Sequence, residues 1–118
     1  MKKDDALNQL EKMIKNPPID DAAYYDIAET LGAFEANYKY FKDKDVQDIS
    51  GILENVENAT REEALVAFGT LVAWEHLNEG LIQNVKDQGY LSKLLKRIIE
   101  THDTADQARE RMIERSTK

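Results

Sequence analysis

Ile27-Ala28-Glu29-Thr30-Leu31-Gly32-Ala33-Phe34 and Ala64-Leu65-Val66-Ala67-Phe68-Gly69-Thr70-Leu71 are two versions of one pattern. Apolar residues coincide at 27/64, 28/65, 31/68 and 34/71, and glycine coincides at 32/69. Outward from this pair the likeness continues. Leu7, Leu10 and Ile14 match Ile49, Leu53 and Val56, and then Leu91, Leu95 and Ile98. Thr60 and Ala64 recur as Thr104 and Ala108. Self-similarity at a spacing of roughly 40 residues, carried by helices, is the signature of an α-solenoid. A compact helical bundle with two similar helices is the alternative that the same residues leave open.

Apolar residues recur at helical spacing almost throughout the chain. Ala6, Leu7, Leu10, Met13 and Ile14 predict a first helix. Asn16-Pro17-Pro18 stops it, because consecutive prolines cannot continue a helix. A second helix runs from Asp20 or Asp21 through Ala23, Tyr24, Ile27, Ala28, Leu31, Phe34 and Tyr38, until the charged Lys42-Asp43-Lys44-Asp45 breaks it. Asp45 caps a third, with Val46, Ile49, Ile52, Leu53 and Val56. Thr60-Arg61-Glu62-Glu63 is a capping box, in which hydroxyl and carboxylate each satisfy the other residue's N–H. It opens a fourth helix with Ala64, Leu65, Phe68, Leu71 and Val72. Asn78 caps a short fifth helix with Leu81, Ile82 and Val85, and Gly89 closes it in the left-handed region. Leu91, Leu94, Leu95, Ile98 and Ile99 mark a sixth. A second capping box, Thr104-Ala105-Asp106-Gln107, opens a last helix with Ala108, Met112 and Ile113. No segment bounded by turn residues alternates with period two. The expectation is a single all-α domain spanning residues 1–118, a short solenoid of about six or seven helices.

A length of 118 residues suits one domain. The chain is 42% hydrophobic, enough for a core, and 33% charged. Acidic residues number 23 against 16 Lys and Arg, for a formal charge of −7. That argues against direct nucleic-acid binding, which needs clustered cations to track phosphates. The excess lies early: residues 1–60 carry seven cations and thirteen acids, residues 61–118 nine and ten. The absence of cysteine excludes disulfides, thiolate metal sites and cysteine nucleophiles. No apolar run of secretory length follows Met1-Lys2-Lys3. The stretch Ala64 to Ala73 is too short to span a bilayer. The expected compartment is the cytoplasm, with no membrane partner. Asn58-Ala59-Thr60 matches a glycosylation sequon but reads as a helix cap.

Catalytic constellations do not emerge. His76 and His102 have no second histidine at ligand spacing. There is no Glu-x-x-His pair and no phosphate-cradling glycine loop. Ser50, Ser92 and Ser116 have no triad context. A non-enzyme without cofactor or metal is expected. Lys93, Lys96 and Arg97 cluster on one helix and Arg109, Arg111 and Arg115 on the next. A weak anion contact and ordinary helix-end charge pairing explain them equally.

The stretch Asn78-Glu79-Gly80-Leu81-Ile82-Gln83-Asn84-Val85-Lys86-Asp87-Gln88-Gly89-Tyr90-Leu91-Ser92-Lys93-Leu94-Leu95 resembles the first two helices of an armadillo repeat. Thr60 to Trp74 is similar to that family's long third helix. One full unit would occupy about residues 45–75 and 78–116, with partial repeats at the ends. The resemblance implies an armadillo- or HEAT-like stack that binds extended peptides along a groove lined by third helices. Peptide-binding members place Trp and Asn on that face. Here the Trp positions hold Glu29, Val66 and Glu110, and the Asn positions Ala33, Thr70 and Glu114, so recognition of the importin type is not implied.

Carboxylates take their place. At helical spacing Asp26, Glu29, Glu63, Glu110 and Glu114 would share the face, with Trp74 near one end as a partner anchor. The carboxylates would steer encounter more than hold the complex. The other reading makes the acids a solvated face and Trp74 a core residue. Tyr24, Phe34 and Tyr38 share the core side, leaving Tyr25 and Tyr40 for partner contact. The expected function is protein binding by an adaptor, regulatory subunit or inhibitor, with a basic or helical segment as partner. Two rivals stand beside it. One is a small acidic immunity or anti-defence inhibitor that occludes a basic nucleic-acid-binding surface. The other is an assembly or accessory factor of an enzyme complex. Self-association through apolar terminal helices, at Met112 and Ile113, is a further expectation.

Overall fold

The computed structural model describes residues 2–16, 21–45, 47–75, 77 and 79–101. The helices are α1 (Lys3–Lys15), α2 (Asp21–Leu31), α3 (Ala33–Phe41), α4 (Ser50–Glu54), α5 (Arg61–Glu75), α6 (Leu81–Asp87) and α7 (90–101), with a one-turn 3-10 helix (Val56–Asn58) after α4. Among the described residues there is no strand. The fold is all-helical. The last predicted helix and its capping box lie outside the described residues, as do Val46, His76 and Asn78.

The chain is organised around α5. Every residue from Ala64 to Val72 is buried, so this helix has no solvent face over its central turns. A helix apolar all round needs neighbours on every side. Here α2, α3, α4 and α6 pack against it. Phe68 meets the edge of Tyr24 from α2, with ring centroids 6.4 Å apart. Leu10 of α1 and Leu91, Leu94, Leu95 and Ile98 of α7 join the same core. Each such side chain contributes roughly 1.5–3 kcal/mol on burial. Thr70 is the buried polar residue of this core. Its hydroxyl donates to the Val66 carbonyl at 2.8 Å and accepts from the Asn37 side-chain amide of α3. Both hydroxyl roles are thus filled, as burial demands.

The two matched glycines have different work. Gly69 lets α3 come close: a Cβ there would fall on the Ala33 carbonyl oxygen and lie 2.8 Å from its carbon. Gly32 has φ of +76°, where side chains are strained, and it separates α2 from α3. The second predicted helix is therefore two helices. The break resets the helical phase, and Tyr38, expected in the core, is 67% exposed while Phe41 is buried.

Three other ends differ from or match the sequence reading for local reasons. The capping box at α5 forms: the Glu63 N–H donates to the Thr60 hydroxyl at 3.1 Å, and the Thr60 N–H to the Glu63 carboxylate at 3.0 Å. The third predicted helix shrinks to α4 and the 3-10 turn. Asp48, not Asp45, accepts from its first residue, the Ser50 N–H at 2.9 Å. At α6 the first turn is tied by Glu75, whose two carboxylate oxygens accept from the Gly80 N–H at 3.0 Å and the Ile82 N–H at 2.9 Å. Gly89 follows α6 with φ of +85°.

Candidate functional site

The corner where α2 turns into α3 stands against the first turn of α5. Between them lies a groove of about 730 Å³. Glu29, Glu35 and Glu62 bring three carboxylates to its lining, and Lys39 and Arg61 two cations. Gly32 makes this possible, because its left-handed turn carries Glu35 and Lys39 across toward Arg61 and Glu62. Lys39 and Glu35 form an exposed i,i+4 pair at 3.1 Å. Such a pair contributes only a few tenths of a kcal/mol. Leu31, Ala36 and Leu65 add apolar wall.

Of the expected carboxylates, the described ones take different places. Glu29 lines the groove, and Asp26 is exposed a turn earlier on α2. Glu63 is engaged in its capping box, and its neighbour Glu62 lines the groove instead. Glu110 and Glu114 lie outside the described residues. Ala33, Val66 and Thr70, at the positions the armadillo resemblance assigns to a groove, are buried.

The large apolar side chains left in solvent are elsewhere. Trp74 is 40% exposed at the end of α5, and Leu77, just beyond it, is 85% exposed. The Leu77 N–H donates to the Trp74 carbonyl at 2.9 Å, which holds the two in one turn. Along the α5 axis Trp74 stands about 18 Å from Glu62. Tyr25 is 53% exposed and tilts against Phe34 with centroids 5.0 Å apart. Tyr40 is partly buried. Its ring meets Phe41 edge-on at 4.9 Å and carries the Lys44 ammonium 3.8 Å from its centroid. That cation–π contact ties down the end of α3.

Sequence reasoning missed Glu35, Lys39, Arg61 and Glu62 as groove residues, and Tyr38 and Leu77 as exposed ones. The signal for the first group was Gly32, read as a helix-interior glycine. Two ionisable groups are displaced. Burial pushes the Tyr24 phenol above its ordinary range. Hydrogen bonds from Ser50 hold Asp48 below the usual carboxylate value. Neither residue lines the acidic groove. Among the described residues no cluster of three His, Asp or Glu is arranged to hold a metal ion, and no helix is long and apolar enough to cross a membrane. No protein-family model, curated protein or solved structure matches this chain.

Proposed function

We propose that this chain is a non-catalytic protein-interaction module, an adaptor, regulatory subunit or inhibitor. The observation that carries the reading is at the end of α5. That helix is buried through Val72 and then presents Trp74 and Leu77 to solvent. Trp is among the side chains enriched at interface hot spots, and the exposed Leu77 widens the apolar surface beside it. The groove, where Glu29, Glu35 and Glu62 outnumber Lys39 and Arg61 by one charge, supplies a second contact for a partner with a basic segment. It acts on encounter rate and orientation rather than on the lifetime of the complex.

Affinity capture from an extract of the source cells, followed by binding measurements with the purified partner, tests this. Trp74→Ala keeps the far-ultraviolet helix signal and melting behaviour but weakens the complex by tenfold or more. A Glu29→Gln, Glu35→Gln, Glu62→Gln variant slows association and reduces its salt dependence. Full affinity in both variants sinks the proposal. The groove also favours one rival, the acidic inhibitor that covers a basic nucleic-acid-binding surface. In that case the carboxylate variant, not Trp74→Ala, abolishes binding, and added salt does the same.

Two architectures are compatible with this role. The armadillo-like stack rests on the sequence alone, on the order of short helix, Gly89 and leucine-rich helix in residues 78–95. The burial of α5 on every side supports a compact bundle. Native-state hydrogen exchange separates them. A stack opens from its ends in steps, and a bundle loses its slowest amides in one global event.

A further inference from the structure

A second groove, sharing no lining residue with the acidic one, lies between the end of α1, the 3-10 turn and α7. It has a volume of about 390 Å³. Lys93, Lys96 and Arg97 line it together, as the i, i+3, i+4 spacing on one helix face requires. This is the basic cluster that the protein-binding proposal leaves unused. Ser92 adds a hydroxyl, and Ile14 of α1 an apolar wall.

The cations are positioned but weakly committed. The Arg97 Nε–H donates to the Ala59 carbonyl at 2.7 Å, which fixes the guanidinium stem across the gap between α7 and the start of α5. Its terminal nitrogen is 3.6 Å from the Glu100 carboxylate. Lys93 is 3.7 Å from Glu57. Both ion pairs are long, the Lys93–Glu57 pair largely solvated and the Arg97–Glu100 pair partly buried, and neither is bidentate. A lone carboxylate entering the groove would only replace the two already there. A phosphate brings a charge near −2 and three acceptor oxygens, and can draw Lys93, Lys96 and Arg97 to itself at once.

We propose that this groove is a binding site for a small phosphate monoester. The phosphate sits among Lys93, Lys96 and Arg97, and Ile14 faces the organic remainder. The volume lies at the lower end of the range for small-molecule sites, which suits a compact ligand rather than a nucleotide-sized one. The same headgroup chemistry is offered by a free metabolite and by a phosphatidic-acid surface.

The test is an NMR titration of the labelled full chain with inorganic phosphate and glycerol phosphate, against sodium chloride at matched ionic strength. Saturable shifts are expected at amides of residues 57–59 and 92–97. Lys93→Ala with Lys96→Ala weakens binding at least tenfold while the helix signal is kept. Glu57→Gln with Glu100→Gln tightens it. Sedimentation with vesicles containing phosphatidic acid, against phosphatidylcholine alone, assigns the source: co-sedimentation points to the lipid headgroup, and a response only to the free esters points to a soluble ligand. Equal shifts in chloride, a response that does not saturate, or undiminished binding in the double lysine variant overturns the proposal. The Trp74→Ala variant retains phosphate binding, so this outcome and the protein-binding one are read separately.

Discussion

Replacing Gly69 with alanine and replacing Gly51 with alanine are the same chemical change at two helical positions, and their effects should have opposite sign. In an open helix the change stabilises by about 0.8–1 kcal/mol, because glycine loses more backbone freedom. Gly51 in α4 is exposed, and a Cβ there meets nothing within 4 Å. Gly51→Ala should therefore gain most of that amount. At Gly69 the added carbon would overlap the Ala33 carbonyl oxygen, lie 2.8 Å from the Ala33 carbonyl carbon and 3.3 Å from its Cβ. The first two are backbone atoms and cannot rotate away, so α3 must move off α5. A clash with fixed backbone belongs in the upper part of the overpacking range, about 2–3 kcal/mol, and with the propensity gain set against it a net loss of roughly 1–2 kcal/mol remains. Urea unfolding followed by far-ultraviolet circular dichroism reads both variants. Gly69→Ala should lower the midpoint without changing the slope, and Gly51→Ala should raise it. Ala33→Gly should not rescue Gly69→Ala, because the obstruction is the carbonyl and not the Cβ. If Gly69→Ala stabilises as much as Gly51→Ala does, α3 does not approach α5 at this point and the account of the core is wrong.

Three further outcomes follow from named bonds. Glu75→Ala removes both acceptors at the start of α6 and should cost about 1–2 kcal/mol, with early hydrogen exchange at the Gly80 and Ile82 amides. Thr70→Val leaves the Asn37 amide without its hydroxyl partner and should cost about 1–2 kcal/mol by urea unfolding, more than a Thr→Val change at an exposed helical site. Asp48 is held below its ordinary value of 3.8 first by the Ser50 side chain and then by its N–H. The stabilisation is present above the ordinary value and is lost as pH falls through the depressed folded one. Carbon-detected NMR titration of Asp48 should show a low midpoint that rises in Ser50→Ala, though not fully, since the backbone N–H remains.

The helical class was legible because apolar spacing is a one-dimensional property, and burial from Leu10 to Ile98 follows it. The Thr60 and Glu63 box was legible because both partners lie within one turn. The α2–α3 break was not, because glycine inside a periodic run fits both a helix interior and a left-handed corner. Only the tertiary gain of laying α3 along α5 decides between them, and a linear pattern does not contain it. Tyr38 followed from that miss. The cap of α6 was hidden for a related reason: a glutamate at the end of one helix satisfies amides at the start of the next, while short motifs place the cap immediately before its own helix. The sequence left Trp74 open between an exposed anchor and a core residue, and its 40% exposure and its distance from the acidic groove depend on the path and packing of α5, which a linear pattern does not contain.

The enclosure of the central turns of α5 also sets an order in time. During synthesis this helix leaves the ribosome before Leu91, Leu94, Leu95 and Ile98, which complete the core. At 5–20 residues per second the interval from Val72 to Ile98 lasts about 1–5 s. Through that interval the most apolar segment of the chain is exposed along its uncovered side. The stretch that anchors the finished molecule is thus one that a nascent-chain chaperone would find uncovered.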